Sequence, residues 1–463
     1  MKKTKIVATI GPKSDSMELL EELSKIGVDI FRLNFSHGDH ESHTVEIDKI
    51  KSLKLPGAIM LDTKGPEIRV GEIRDKLLLK VGDSFIITTE KGVYEDTGKV
   101  SVNYEGFVDD IDVGDVIVLD SGVLQARAIK KNKKDVFFEV IEGEAPVTTK
   151  RHINLFGRPV SLPTVTEQDW RDIEFGLEKG IDMIALSFVR SSEDVRRVKE
   201  YCRSKGREDI HVLAKIENFE STQNLESIVK ESDGIMVARG DLACEVQFSK
   251  VPAIQKRIVS LCRIHRKPVI IATQMLLSMV NNIRPTRAEV SDVANAVFEQ
   301  ADAVMTSDET AKGNYPVNTI KVMAKIATDT EEEIYDSKKK SSYMTSMCCH
   351  RGDCSEDGII RILANYTDKI DAILVISNRA EHLNSVAAAR VNLPIFSFTA
   401  SENLKNNQHL VWNTTPILAS ISDDWSKNLE IALKIFKKSY RKYKDVAIVF
   451  EMGKNLTVQM RSV

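Results

Sequence analysis

The stretch His211-Val-Leu-Ala-Lys215-Ile-Glu217-Asn-Phe is apolar until its C-terminal end, where it turns charged. Such a run reads as a buried β-strand, and alternation along it puts Lys215 and Glu217 on the same side. Together, where a buried strand meets solvent, they offer a cation for an oxyanion and an oxygen ligand for a metal. An ion pair capping a strand is the competing reading of this one site. Other runs end in the same way. Arg32-Leu-Asn34-Phe-Ser36-His37-Gly38 aligns Arg32, Asn34 and Ser36 on one face, and Asp62-Thr63-Lys64-Gly-Pro-Glu67-Ile-Arg69 closes another run. Ala238-Arg239-Gly240-Asp241, Ala272-Thr273-Gln274 and Ser307-Asp308-Glu309-Thr310 close three more. Charge gathered at so many strand ends is costly unless it binds something, which weighs against a purely structural role.

The residue types narrow the chemistry. Glu217 and Asp241 are hard oxygen ligands that leave room for substrate oxygens on Mg²⁺ or Mn²⁺. Asn34, Ser36, Asp62 and Thr63 offer neutral oxygens and one carboxylate, a set suited to a monovalent cation. Arg32, Arg69 and Lys215 are cations free to neutralise phosphoryl oxygens. No nucleophile stands out, His37 has no visible partner and reads as structural, and no P-loop is present. The set fits phosphoryl transfer by positioning and charge, without a covalent intermediate. An aldolase-type barrel using Lys215 as a Schiff base is a different reading. It requires Lys215 in an apolar pocket that lowers its pKa, whereas Glu217 two residues on argues for a charged lysine.

These ends must be positioned by a scaffold. Strand-like runs at Lys5–Ile10, Ile30–Phe35, Ala58–Asp62, Met183–Phe188, His211–Glu217, Gly234–Ala238, Pro268–Gln274 and Ala303–Ser307 alternate with helical periodicity. Ser16, Ser192 and Thr286 stand as N-caps, and Gly27, Gly180 and Gly206 where C-caps belong. Eight such units predict a (β/α)₈ TIM barrel, an α/β fold whose strand C-termini carry the site. The alternation breaks between Glu67 and Ser161, where short alternating runs and Gly-Asp turns predict a small inserted β-barrel lid. The expected organisation is barrel over 1–65 and 162–337, lid over 66–161, and a C-terminal α/β domain over 338–463.

Bulk properties exclude several classes. With 65 Lys+Arg against 68 Asp+Glu in 463 residues, the net charge of −3 gives no general pull towards nucleic acid or a membrane. No signal segment and no membrane span is visible. Six irregularly spaced cysteines do not make a disulfide framework, so a reducing, cytoplasmic setting is expected. Cys348-Cys349-His350-Arg-Gly-Asp-Cys354 lacks the paired ligands of a zinc site and reads as linker thiols.

Eight motifs together resemble pyruvate kinase. They are Thr4-Lys-Ile-Val-Ala-Thr-Ile-Gly-Pro, Arg32-Leu-Asn-Phe-Ser-His-Gly, Leu61-Asp-Thr-Lys-Gly-Pro-Glu-Ile-Arg, Lys215-Ile-Glu-Asn, Val237-Ala-Arg-Gly-Asp-Leu, Ala272-Thr-Gln-Met-Leu, Arg284-Pro-Thr-Arg-Ala-Glu-Val-Ser-Asp and Glu309-Thr-Ala-Lys-Gly-Asn-Tyr-Pro. The resemblance implies transfer of the phosphoryl group of phosphoenolpyruvate to ADP, giving pyruvate and ATP, in a homotetramer. It implies that Lys215 stabilises the phosphoryl group in transit and that Glu217 and Asp241 bind Mg²⁺ or Mn²⁺. Asn34, Ser36, Asp62 and Thr63 match K⁺ ligands, and Glu67 falls where K⁺-dependent members carry Glu. Arg32 and Arg69 would hold phosphates, while Asn34, His37 and Arg151 join Arg69 on the nucleotide side. Thr273 and Ser307 match residues linked to protonation of the enolate. The backbone of Ala238–Gly240 would meet the substrate carboxylate at a helix N-terminus.

Some positions depart from that pattern. Asp308 stands where Gly or Ala is usual, Ala243-Cys244 replaces a Gly-Val or Gly-Ile, and Arg151-His152-Ile-Asn154-Leu-Phe156-Gly replaces Lys-Gly-Val-Asn-Leu-Pro-Gly. In the C-terminal part, Ser377-Asn-Arg-Ala-Glu-His and Glu451-Met-Gly-Lys-Asn lack the clustered hydroxyls and glycines that wrap a phosphate, so no activation by fructose 1,6-bisphosphate is expected. Asp308, His152 and these loops keep a catalytically weak or regulatory relative as the alternative.

Overall fold

The computed structural model describes residues 2–463 except 75, 93, 95–97, 120–121, 336–362, 364, 423 and 453–454. The polar linker and the cysteine-rich stretch around Cys348 lie outside the described residues, as do most of the helical pattern at Glu356–Asn365 and part of the Glu451–Asn455 loop. Eight parallel strands close into a barrel: Lys5–Thr9, Ile30–Asn34, Ala58–Asp62, Met183–Leu186, His211–Ile216, Gly234–Ala238, Val269–Ala272 and Ala303–Thr306. The fold class predicted from the sequence is the one observed.

Side-chain alternation makes two cores from these strands. Ile6, Ala8, Leu33, Leu61, Ile184, Val212, Ile235, Ile271 and Val304 face outward and pack with helix residues such as Leu20, Leu23, Ile47, Ile173, Val198 and Ile320. The opposite parity faces inward, where Val7, Ile30, Ala58, Met60, Met183, Ala185, Leu213, Met236, Ile270, Ala303 and Met305 fill the barrel. Continuing each inward row by two residues reaches Thr9, Arg32, Asp62, Ser187, Lys215, Ala238 and Ser307. The middle of the interior is therefore apolar, and the strand C-termini carry the cluster of polar groups. Leu410, fully buried, belongs to this inner cluster although it comes from the C-terminal third of the chain. It closes the bottom of the barrel, and its burial contributes about 1.5–3 kcal/mol.

Helix ends follow the sequence signals. Ser16 caps Met17–Ile26 through Leu19 N–H, and Thr286 forms a capping box with Glu289 ahead of Arg287–Phe298. The cap of helix Ser192–Ser204 is Ser191, one residue before the expected Ser192, because Asp194 lies three residues after Ser191 and completes a capping box there. The helix start expected at Ala238–Gly240 is the short helix Arg239–Glu245, and a second short helix, Asp308–Ala311, not foreseen in the sequence, follows the eighth strand.

After the third strand an eight-stranded sheet is inserted. Its path runs Ile68–Arg69, His152–Leu155, Val116–Leu119, Leu124–Lys131, Asp135–Val147, Ser84–Thr88, Lys99–Ser101, with Leu77–Lys80 paired to Asp135–Val147. It has its own core of Phe85, Phe107, Phe138, Ile117 and Val136. A five-stranded sheet lies towards the C-terminus in the order Thr414–Leu418, Ile395–Thr399, Ala372–Ile376, Asp445–Met452, Asn455–Ser462, its last strand antiparallel. Thr414–Leu418 carries Pro416 and polar residues, which hid it from a reading based on apolar alternation.

Candidate active site

The polar ends of the inward rows meet at the top of the barrel. Lys215 Nζ donates to Asp62 Oδ1 at 2.8 Å and to Ser187 Oγ at 2.7 Å, and lies 2.9 Å from Glu217 Oε1. Arg32 Nε donates to the other oxygen of Asp62 at 2.6 Å, and its Nη1 donates to Thr9 Oγ1 at 2.7 Å. Glu217 Oε2 accepts from the N–H of Phe188 at 2.8 Å, a residue at φ +52°. That left-handed backbone costs of order 1 kcal/mol and aims the amide at the carboxylate.

All four charged groups are buried, Lys215 at 8 % exposure and Asp62 at zero. Burial alone would lower the Lys215 pKa, but Asp62 and Glu217 outweigh it and hold the ammonium above its ordinary value. A lysine kept charged is the wrong state for Schiff-base chemistry, so the aldolase reading loses its premise. Burial pushes Asp62 up, yet Arg32 and Lys215 together bring it below its ordinary value. Glu217 takes the smaller share of Lys215. Burial first, then the charges of Asp241 and Asp62, raise it to about 7. The negative charge of Asp241 acting on Glu217 favours a cation near the pair.

Asp241 sits in the first turn of helix Arg239–Glu245. Among the described residues no three His, Cys, Asp or Glu side chains converge as a metal cage. The donor set of Glu217 and Asp241 nevertheless fits a hard divalent ion that takes its other ligands from substrate oxygens and water. Beside it, Thr273 Oγ1 accepts from Gly240 N–H at 2.8 Å and donates to Ala272 O at 2.7 Å. Thr273 and Gln274 are both left-handed, at φ +67° and +56°. Arg239 holds this turn, forming two 2.6 Å bonds to Asp292 and one of 2.8 Å to Thr273 O.

The cations read as free in the sequence are all paired here: Arg32 and Lys215 reach Asp62 on another strand, and Arg69 reaches Glu67 two residues before it. Arg69 makes a two-pronged pair with Glu67, 2.8 and 2.7 Å, and its Nη1 donates to Lys150 O. Arg151, half-buried, donates to Thr148 Oγ1 at 3.0 Å. Asn34 Oδ1 accepts from Ser36 N–H at 3.1 Å, and Thr63 Oγ1 accepts from Ser187 N–H at 2.9 Å. Ser307, half-buried, donates its N–H to the buried Glu309 at 2.7 Å. His37 is exposed at the rim, not packed as a structural histidine, in the field of Lys312, Asp308, Arg32 and Glu67. Asp308, the departure at the eighth strand, is 3.2 Å from Lys312.

Ser187 and Thr9 were missed in the sequence, although both are polar residues ending apolar strands. The same rule that picked out Arg32 and Lys215 finds them. Asp292 carries no such signal, since it lies within the helix Arg287–Phe298.

A family model described as pyruvate kinase, barrel domain, matches residues 1–320. The chain belongs to the pyruvate kinase family. It is 39% identical over 441 residues to pyruvate kinase isozyme G, chloroplastic, of Nicotiana tabacum, covering 94% of this chain and 77% of that one. It is 38% identical over 445 residues to a pyruvate kinase of Bacillus licheniformis, covering 95% and 75%, and 38% identical over 467 residues to pyruvate kinase 2 of Trypanosoma brucei brucei, covering 96% and 92%. As in its family, the chain is a phosphotransferase built on a closed barrel. No helix among the described residues is long and apolar enough to cross a membrane.

Proposed function

We propose that the protein transfers the phosphoryl group of phosphoenolpyruvate to ADP, giving pyruvate and ATP, with Mg²⁺ or Mn²⁺ and K⁺ as cofactors. The observation that carries this reading is the buried Arg32–Asp62–Lys215–Glu217 cluster, which aims two permanent cations at one point. Lys215 sits where a phosphoryl group in transit would gather charge, and Arg32 anchors the same group from the second strand. Glu217 and Asp241 would hold the divalent ion, which when bound neutralises phosphoryl and enolate oxygens. The Ala238–Gly240 backbone receives the substrate carboxylate, with Thr273 beside it. Thr273 and Ser307 stand on the face from which the enolate is protonated. Asn34, Ser36, Asp62 and Thr63 line the K⁺ position. Arg69, Arg151, His37 and Asn34 form the nucleotide side, beneath the inserted sheet acting as a lid. Domain limits at 65/66, 161/162 and 337/338, a homotetramer and a cytoplasmic setting complete the reading. The last is supported by the buried free thiols Cys202, Cys244 and Cys262.

Activation by fructose 1,6-bisphosphate is not part of it. Ser377, 6 % exposed, is turned inward with its Oγ 2.8 Å from His382 Nδ1, and Arg379 is paired with Glu451 at 3.3 Å. A phosphate would find the Ser377 hydroxyl turned away and the Arg379 cation shared with a carboxylate. The test is pyruvate formation from phosphoenolpyruvate and ADP with Mg²⁺ and K⁺, with and without the sugar bisphosphate. Turnover that the bisphosphate leaves unchanged is the expected result, and no turnover at all would favour a regulatory relative.

Asp308 tunes the nucleotide side without abolishing it. It pairs with Lys312, and both charges act on His37. An exposed pair of this kind is worth about 0.2–1 kcal/mol. Asp308→Gly is therefore expected to lower the KM for ADP by roughly two- to fivefold while leaving that for phosphoenolpyruvate unchanged. Steady-state kinetics with each substrate varied would check it.

A further inference from the structure

The inserted sheet touches the helix that carries Asp241 through one buried polar contact. Asn154, 4 % exposed, donates from Nδ2 to Glu245 Oε1 at 3.0 Å, across 91 residues of chain. Glu245, 6 % exposed, ends the helix that Asp241 begins, and its backbone carbonyl accepts from Gly157 N–H at 3.0 Å. One buried residue thus joins the inserted strand to the helix that carries Asp241.

The spacing of the two elements matches. His152 and Asn154 share a face of their strand about 6.6 Å apart. Asp241 and Glu245 share a face of their helix with about 6 Å of axial rise between them. Asn154 meets Glu245, and of the charges acting on the His152 imidazole that of Asp241 is the strongest. The contact is flanked on both sides by space, a cavity of about 50 Å³ and an open groove of about 840 Å³, both lined by Glu245.

We propose that Asn154 and Glu245 are positioning residues that latch the inserted sheet to the divalent-metal site, so that metal binding at Glu217 and Asp241 orders the sheet. This rests on the metal reading of Glu217 and Asp241 above. Neither residue is one of the proposed metal ligands. Each acts through the seven-residue helix that carries Asp241.

The experiment uses the full chain and Mn²⁺ alone as probe. Free Mn²⁺ is followed by electron paramagnetic resonance, and amide hydrogen exchange is followed in strands His152–Leu155 and Val116–Leu119. In the wild type, saturating Mn²⁺ is expected to slow exchange in these strands by about tenfold, the effect of one buried charged hydrogen bond. Asn154→Ala and Glu245→Ala should lose that slowing while their Mn²⁺ affinity stays within about threefold of wild type. Glu245→Gln, which keeps an acceptor for Asn154, should restore it. If one truncation fails to fold, the other carries the test. Mn²⁺-induced slowing that survives in a folded truncation overturns the latch, as does a wild type that binds Mn²⁺ without slowing. A wild type that binds no Mn²⁺ overturns the metal reading and the latch with it.

Discussion

Replacing Lys215 with alanine is expected to lower turnover by about a thousandfold, the upper range for removing one preorganised cation from developing charge. Lys215 is the hub of the site, with three partners at 2.7–2.9 Å, and burial makes its charge felt more strongly than in water. The chain should still fold. Asp62 keeps Arg32 at 2.6 Å, and Glu217 keeps the Phe188 amide. Breaking a buried pair costs about 3–5 kcal/mol, so a lower melting temperature is expected as well. Mn²⁺ binding should be largely retained, because the two proposed ligands, Glu217 and Asp241, are unchanged. Steady-state kinetics, a melting curve and a Mn²⁺ titration on one preparation check all three. A variant near the wild-type rate would sink the assignment of Lys215.

Substituting Na⁺ for K⁺ is expected to reduce turnover about tenfold or more. The reason lies in how Asp62 is shared. Its carboxylate is already bound by Arg32 and Lys215, so it offers a neighbouring ion only part of its charge, and Asn34, Ser36 and Thr63 add neutral oxygens. Such a site holds a monovalent ion weakly and discriminates by size. Glu67 adds a second element, because its two-pronged bond fixes Arg69, the residue proposed above for the nucleotide side. Glu67→Lys would place a fixed cation there, next to Arg69, and is expected to make turnover independent of the monovalent ion. Rates in KCl and NaCl for both proteins decide the matter. Equal wild-type turnover in the two salts would discard the cation site and leave the kinase reading standing.

Much of the scaffold was legible in the linear sequence for a simple reason. Strand and helix periods are local, and the inward parity of each barrel strand is set once its register is fixed. Arg32, Asp62, Lys215 and Asp241 could therefore be placed at one end of a barrel without coordinates, as could the insertion after Asp62. The helix at Arg239–Glu245 was less visible, since seven residues at a strand end carry too little periodicity.

What each charge is paired with was decided by tertiary structure alone. Lys215 and Asp62 are 153 residues apart, and Asn154 and Glu245 are 91 apart. No local pattern relates such positions. Closing the barrel puts them within hydrogen-bond reach, and burial then fixes their protonation states through the low dielectric they share. The sequence by itself determined the residue types, the fold class and the face on which the charged ends gather. The folded chain decided that Arg32 and Lys215 divide one carboxylate, that Ser187 and Phe188 complete the cluster, and that Asn154 grips the end of the Asp241 helix. The difference is physical: side-chain direction follows from local backbone geometry, whereas pairing energy depends on distances that only closure of the fold creates.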